Sequence, residues 1–349
     1  VVDEANRMER NGTHILKLNI GNPAPFGFRT PDEVIYDMRH QLADCQGYSA
    51  SQGLFAARKA IMQYAQLKKI PNVDIDDIYT GNGVSELINL CMQALLDNGD
   101  EILIPAPDYP LWTATATLAG GNVVHYVCDE QSDWYPDIDD IRSKITDKTK
   151  AIVIINPNNP TGTYVPIGEL EAFADTLPED VLLVMDEAYM EFATEPDCCS
   201  MVDYMKAHPE KPILVLRTFS KYYAMAGLRV GYALGSEELI GIMRKCSASW
   251  NLNVCAQKAA VAGLADQEYY QEQKAKIVEG REYLEKEMAA LGCRVYPSQS
   301  NFIYFDTGKD PAWIQEQLME KGIRIGAFEM SRVSVGTMEE CQLFLQYLK

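Results

Sequence analysis

A lysine, two hydroxyl groups and an arginine lie close together in a spacing that permits covalent cofactor chemistry. Thr218 and Ser220 come just before Lys221, and Arg229 follows a short distance on. A lysine amine can form a Schiff base with an aldehyde, and hydroxyl and guanidinium groups can bind a phosphate. The alternative is a surface turn with solvated side chains, since Lys and Arg are mostly exposed.

Apolar runs on both sides of this stretch predict the elements that position it. Residues 212–216 and 230–234 read as two buried strands, because short apolar runs bounded by turn signals are typical of sheet interiors. Lys221 is therefore expected in the connection between two core strands. Desolvation there would favour the neutral amine that a nucleophile needs.

Two further apolar runs end in polar residues. Run 151–155 leads into an Asn-Pro-Asn-Asn-Pro-Thr-Gly string that contains Asn159, and run 181–185 leads into Asp186. Open α/β sheets bind ligands at the carboxyl ends of their strands. A buried carboxylate needs a cation or a donor as partner. The alternative for Asp186 is a plain helix N-cap.

A glycine-rich turn predicts a phosphate site. A strand over 78–80 leads through Gly81, Gly83, Val84 and Ser85 into a helix that extends to Leu96. The first amides of a helix are unpaired and lie at its positive dipole end, which suits an anion. An ordinary helix cap remains the alternative.

In this order the motifs resemble the pyridoxal-phosphate-dependent aminotransferases of fold type I. The sequences of segments 218–221 and 226–232 are most similar to the histidinol-phosphate branch, and those of segments 18–28 and 107–112 resemble alanine/glutamate-type enzymes. The resemblance implies pyridoxal 5′-phosphate as cofactor, a homodimer and a transaminase reaction. Two alternatives stay open: a decarboxylase or β-elimination lyase with the same fold and cofactor, and a non-catalytic binding protein.

The resemblance also implies a role for each site residue. Lys221, Asp186 and Tyr189 are the expected catalytic residues. The expected cofactor-binding residues are Tyr48, Gly83, Val84, Ser85, Tyr109, Asn159, Asp186, Tyr189, Thr218, Ser220, Lys221 and Arg229. Within that set Tyr109 would stack on the pyridine ring, and Tyr48 would reach the phosphate held by a partner subunit. The expected substrate contacts are Gly21, Asn159 and Arg332, the last of which would bind the α-carboxylate.

The amino donor is not determined by these motifs. The histidinol-phosphate branch usually has an arginine where this chain has Gly326, and the nearest basic residue is Arg324. We therefore expect a general amino-acid donor, with histidinol phosphate possible but not preferred, and a 2-oxo acid such as 2-oxoglutarate as acceptor. Donor choice is expected to depend on the segment after Gly21, on Trp112 and on the turn at 322–330.

The length and composition fit an α/β fold with two unequal parts. The chain has 349 residues, of which 47% are apolar and 23% charged, as in soluble globular proteins. We expect a large domain over 31–254 with a mostly parallel mixed sheet sandwiched between helices. A smaller α+β domain is expected over 255–349, with an N-terminal segment over 1–30 packed against it.

Net charge and cysteine usage narrow the function classes further. A formal charge of −19 argues against a nucleic-acid partner. Nine scattered cysteines without metal-ligand spacing predict free thiols, no metal site and a cytoplasmic location. No run is long enough for a membrane span, and the charged start lacks the pattern of a signal peptide. Because the chain begins with Val1, we expect a short leading segment before it.

Overall fold

The computed structural model describes residues 2–349, and a large twisted sheet forms the centre of that range. The strands are β1 (Leu16–Lys17), β2 (Ile78–Gly81), β3 (Glu101–Ala106), β4 (Asn122–Asp129), β5 (Tyr135–Pro136), β6 (Thr149–Ile155), β7 (Leu182–Asp186), β8 (Ile213–Thr218), β9 (Gly231–Leu234), β10 (Arg294–Val295), β11 (Phe302–Asp306), β12 (Ile323–Arg324), β13 (Gly326–Ala327) and β14 (Ser331–Ser334). The eight-stranded sheet has the order β2-β9-β8-β7-β6-β3-β4-β5. Its central pairs from β8 to β4 are parallel, and β9 and β5 pair antiparallel.

Helices cover both faces of this sheet. The helices of the described residues, including those of the C-terminal part, are α1 (Val2–Arg10), α2 (Asp32–Gln41), α3 (Phe55–Leu67), α4 (Val84–Leu95), α5 (Leu111–Leu118), α6 (Ile138–Lys144), α7 (Ile167–Asp175), α8 (Val202–Ala207), α9 (Glu237–Cys246), α10 (Val254–Ala265), α11 (Gln267–Ala290), α12 (Pro311–Glu320) and α13 (Met338–Leu348).

The central strands contain unbroken apolar runs because both faces of the sheet are buried there. In β6, Ile152 and Ile154 pack into one core cluster, and Ala151, Val153 and Ile155 into the cluster on the opposite face. Alternate side chains of a strand point to opposite faces, so a strand between two helix layers needs an unbroken apolar run. The predicted α/β class with a mostly parallel mixed sheet is confirmed.

The C-terminal part forms a separate antiparallel sheet, β10-β11-β14-β13, beside helices α11 to α13. The N-terminal segment is attached to this part: β1 pairs in parallel with β12, and the Ser334 amide donates to the Leu18 carbonyl at 2.7 Å. Helix α10 contacts α2 and α3. The division at residues 30 and 254 stays a prediction.

Several element boundaries differ from the sequence prediction. The strand expected over 15–20 is reduced to Leu16–Lys17, because the chain then turns so that the Asn19 carbonyl accepts a hydrogen bond from Arg332 Nη2 at 3.0 Å. Helices α8, α9 and α10 were not predicted. Asp186 is the last residue of β7 rather than the residue after it, and no helix of the described residues is long and apolar enough to cross a membrane.

Candidate active site

A cavity of about 350 Å³ lies at the carboxyl ends of β6, β7 and β8. The predicted residues that line it are Gly21, Val84, Ser85, Tyr109, Asn159, Asp186, Tyr189, Thr218, Ser220, Lys221, Arg229 and Arg332, together with Ile20, Ile155, Ala188 and Ala226. The fold thus brings together residues that are scattered along the sequence from position 21 to 332. Two predicted residues, Gly83 and Tyr48, are not part of the lining.

Lys221 lies in the connection between β8 and β9, as predicted. Its Nζ is 5.5 Å from the centre of the Tyr189 ring, and both side chains line the cavity. Tyr189 in turn packs edge-on against Phe302, with ring centres 5.1 Å apart. The lysine amine is therefore held over an aromatic face at the centre of the site.

Asp186 is buried at the floor of the cavity. Its Oδ2 accepts from the indole Nε1 of Trp112 at 3.0 Å, and its Oδ1 accepts from the Ala188 amide at 3.2 Å. Burial raises the pKa of Asp186 to about 6, although both donors act in the opposite direction. No cation is paired with this carboxylate among the described residues, so a positively charged ligand atom would stabilise its ionised form.

One end of the cavity has the donors that a phosphate needs. The Val84 and Ser85 amides begin α4, where helix amides have no partner within the helix. The Arg229 guanidinium lies beside them, with Nη1 at 3.4 Å from Ser220 Oγ. A Cβ on Gly83 would come within 2.7 Å of Arg229 Nη2. Gly83 (φ +79°) therefore contributes by leaving room for the arginine at this end.

The other end of the cavity has a buried guanidinium. Arg332 donates through Nη1 to Asn159 Oδ1 and through Nη2 to the Asn19 carbonyl, while its Nε has no hydrogen-bond partner. Burial lowers the pKa of Arg332. Within residues 2–349 no acidic side chain forms an ion pair with Arg332, so an anionic ligand would stabilise this buried cation.

The aromatic residues differ in how they relate to the cavity. Tyr109 is half-buried in the wall, and burial raises the pKa of its hydroxyl. Trp112 is fully buried, donates to Asp186 and does not line the cavity, so it has no direct contact with the substrate space; its part in donor choice stays a prediction. Tyr48 is 83% exposed and stacks on Trp250 with ring centres 5.2 Å apart.

A buried ionic network behind the site was missed by the sequence interpretation. Arg217 forms ion pairs with Glu187 at 2.7 Å and with Glu191 at 2.6 Å. Glu187 also accepts from Ser200 Oγ and the Met201 amide. The sequence held one signal for this network: two acidic residues, Glu187 and Glu191, follow the buried strand β7, and a basic residue, Arg217, lies near the end of the neighbouring strand β8. The network joins β8 to the segment that carries Tyr189.

These observations fit pyridoxal phosphate. A phosphate matches the α4 amides, Ser220 and Arg229. An amine is available at Lys221, and the buried carboxylate of Asp186 lacks the cation that a protonated pyridine nitrogen would supply. The separation of the phosphate-type end from Arg332 leaves space for a substrate that carries its own carboxylate.

Comparison with known proteins agrees with this arrangement. The family model described as "Aminotransferase class I and II" matches residues 13–348. The chain is 46% identical over 280 residues to the glutamate-pyruvate aminotransferase AlaA of Escherichia coli, a match that covers 76% of this chain and 67% of that protein. It is 37% identical over 281 residues to histidinol-phosphate aminotransferase 2 of Carboxydothermus hydrogenoformans, covering 78% and 76% of the two chains.

Solved structures show the same fold. A crystal structure of an aminotransferase from Escherichia coli superposes with a TM-score of 0.88 at 34% identity, over 99% of this chain and 92% of the other. The resemblance to fold type I aminotransferases that the sequence suggested is confirmed.

Proposed function

The chain belongs to the aminotransferase class I and II family and is an amino-acid aminotransferase, and on that premise we propose that it works with pyridoxal 5′-phosphate and prefers small or acidic amino donors. The observation that carries the proposal is the buried Arg332, which lacks an anionic partner and faces the same cavity as Lys221. An amino acid and a 2-oxo acid both supply the missing α-carboxylate.

Each residue has a task in this reaction. When bound, the cofactor supplies an electron sink for negative charge at the substrate Cα. Lys221 Nζ would hold the cofactor and, once displaced by the amino donor, remove the Cα proton as general base. Asp186 would keep a proton on the pyridine nitrogen, because an adjacent cation favours its ionised form.

The remaining cavity residues bind and orient. Arg332 would hold the α-carboxylate by charge-assisted hydrogen bonds. Asn159 and Tyr189 would donate to the cofactor's phenolic oxygen, and Tyr109 would cover the ring and exclude water. The phosphate would be bound by the start of α4, Ser85, Thr218, Ser220 and Arg229.

The preference for small or acidic donors rests on three observations. The cavity, at about 350 Å³, is near the lower end of the range of ligand pockets, about 300–1,000 Å³, and the cofactor takes part of it. Position 326 is glycine, and Arg324 does not line the cavity. The relative with 46% identity is named a glutamate-pyruvate aminotransferase.

We also propose that the active form is a homodimer in which Tyr48 completes the site of a second copy of this chain. Tyr48, Phe55 and Trp250 are all largely exposed, and large exposed aromatic groups mark interaction surfaces. The nine cysteines without a pairing framework support a cytoplasmic location.

A panel of amino donors with 2-oxoglutarate as acceptor tests the substrate proposal. We expect alanine to be among the best donors, with glutamate assayed against pyruvate. Histidinol phosphate should be poor, because one missing charge-assisted bond to a phosphate weakens binding by about 1.5–3 kcal/mol. If histidinol phosphate exceeds alanine by orders of magnitude, the interpretation of Gly326 is wrong and Arg324 is the first residue to mutate.

A further inference from the structure

The guanidinium of Arg332 lies between two phenyl rings. Its Cζ is 4.8 Å from the centre of the Phe302 ring and 4.8 Å from the centre of the Phe328 ring, within the distance at which a cation is attracted to an aromatic face. Phe302 belongs to the buried strand β11, whereas Phe328 lies in the turn between β13 and β14 and is 40% exposed. The two rings therefore form an inner and an outer wall of one clamp.

The outer wall depends on a glycine. Gly326 is paired across the β13–β14 ladder with Arg332. A Cβ on Gly326 would lie 2.7 Å from Cε2 of Phe328, a separation at which one of the two must shift. The same Cβ would be 3.4 Å from the Arg332 carbonyl oxygen and 3.5 Å from its Cβ, which are ordinary contacts. The absence of a side chain at 326 is thus matched specifically to the position of the Phe328 ring.

The clamp acts on a group that has few other restraints. Arg332 is buried and has two hydrogen bonds through its Nη atoms, an unpartnered Nε and no acidic partner among the described residues. Two rings within cation–π distance restrain the guanidinium without occupying its N–H groups, which stay available to a carboxylate. An acidic partner would fix the group too, but it would compete with the substrate.

We propose that Phe328 is a positioning residue for the carboxylate-binding Arg332, and that position 326 is glycine so that the Phe328 ring can close the outer face of the guanidinium. This inference rests on the proposed role of Arg332. It adds two residues, Gly326 and Phe328, that do not line the cavity but set how tightly every carboxylate substrate binds.

Substitutions of Phe328 distinguish the effect of its aromatic face from the effect of side-chain volume alone. In the cofactor-loaded enzyme, Phe328→Leu and Phe328→Ala should raise KM for the amino donor and for the 2-oxo acid alike. The expected increase is about 5- to 30-fold, the range between an exposed and a desolvated cation–π contact. kcat should stay nearly unchanged, because a clamp contributes equally to bound substrate and transition state. Phe328→Tyr keeps the aromatic face and should restore KM.

A double-mutant cycle tests the role assigned to Gly326. Gly326→Ala should raise KM by displacing Phe328, and it should add little in a Phe328→Ala background, where no ring remains to be displaced. Tyr347→Ala is the matched control, since Tyr347 is 42% exposed on α13 and is not one of the two rings within cation–π distance of Arg332. Full additivity of the two substitutions, or wild-type KM in Phe328→Leu, would overturn the proposal.

The affinity of the cofactor-loaded enzyme for 2-oxoglutarate, measured by calorimetry, tests the clamp independently of the proposed transaminase function. A wild-type enzyme without amino transfer contradicts the function, while weaker 2-oxoglutarate binding in Phe328→Leu than in Phe328→Tyr still supports the clamp. Conversely, an active transaminase in which the two variants bind 2-oxoglutarate equally well contradicts the clamp alone.

Discussion

The indole of Trp112 donates a hydrogen bond to the carboxylate of Asp186 at 3.0 Å, although 74 positions separate the two residues in the chain. Both side chains are buried. The contact fixes the orientation of a carboxylate whose pKa burial raises to about 6. The protein therefore keeps, at the end of a core strand, an acidic group that is disfavoured in its ionised form until a cation arrives.

Replacement of Asp186 should have opposite effects on stability and on activity. An aspartate whose pKa rises from about 3.9 unfolded to about 6 folded destabilises the cofactor-free protein at neutral pH. Asp186→Asn should therefore raise the free energy of unfolding at pH 7 by about 1–3 kcal/mol, as measured by urea denaturation. The same variant should lose nearly all transaminase activity, because the neutral amide of Asn lacks the negative charge that would keep the pyridine nitrogen protonated.

The pH dependence of this effect has a defined sign. Because the folded pKa is the higher one, the wild-type protein should lose stability relative to Asp186→Asn as pH rises from about 4 to about 6, and the difference should level off above that. The exposed Asp147 provides the control variant, Asp147→Asn, which should track the wild type. A stability difference that grows as the pH falls would contradict the assignment.

At the opposite end of the cavity, Arg229 should control retention of the cofactor. Arg229→Gln removes a charged donor that lies beside the first turn of α4. Loss of a bond to a charged acceptor weakens binding by about 1.5–3 kcal/mol, so the cofactor should dissociate about 10- to 150-fold more readily. Ultrafiltration followed by absorbance of the retained cofactor measures this. Arg244→Gln, an exposed arginine on α9, should retain cofactor as the wild type does.

Tyr48 provides the test of subunit sharing. If it donates to the phosphate held by a second copy, Tyr48→Phe should weaken cofactor retention by about 1.5–3 kcal/mol and leave the oligomer intact. Tyr347→Phe is the control. Light scattering that shows a fully active monomer would exclude a shared site.

The sequence was most informative where a polar residue interrupts an apolar run. Asp186, Asn159 and Lys221 each follow or end a buried strand, and parallel strands align their carboxyl ends, so their meeting in one cavity could be predicted from order alone. Arg332 depended on the family resemblance, because a single arginine at the start of a strand carries no local signal of burial.

The rest could not be predicted because it depends on contacts between distant segments. Nothing local to Trp112 indicates that its indole reaches Asp186, and nothing local to Gly326 indicates that Phe328 needs its space. Helices α8, α9 and α10 were missed too. The short α8 is defined more by packing of Val202, Tyr204 and Met205 than by length or periodicity, as tertiary contacts often override weak local preference.

The most direct test of the central claim is the product balance of the enzyme loaded with pyridoxal phosphate and given alanine and 2-oxoglutarate. The account predicts pyruvate and glutamate in equal amounts. It also predicts that Lys221→Ala forms neither product and lacks the visible absorbance of lysine-bound cofactor. Release of carbon dioxide or ammonia without glutamate, or continued turnover by Lys221→Ala, would contradict it.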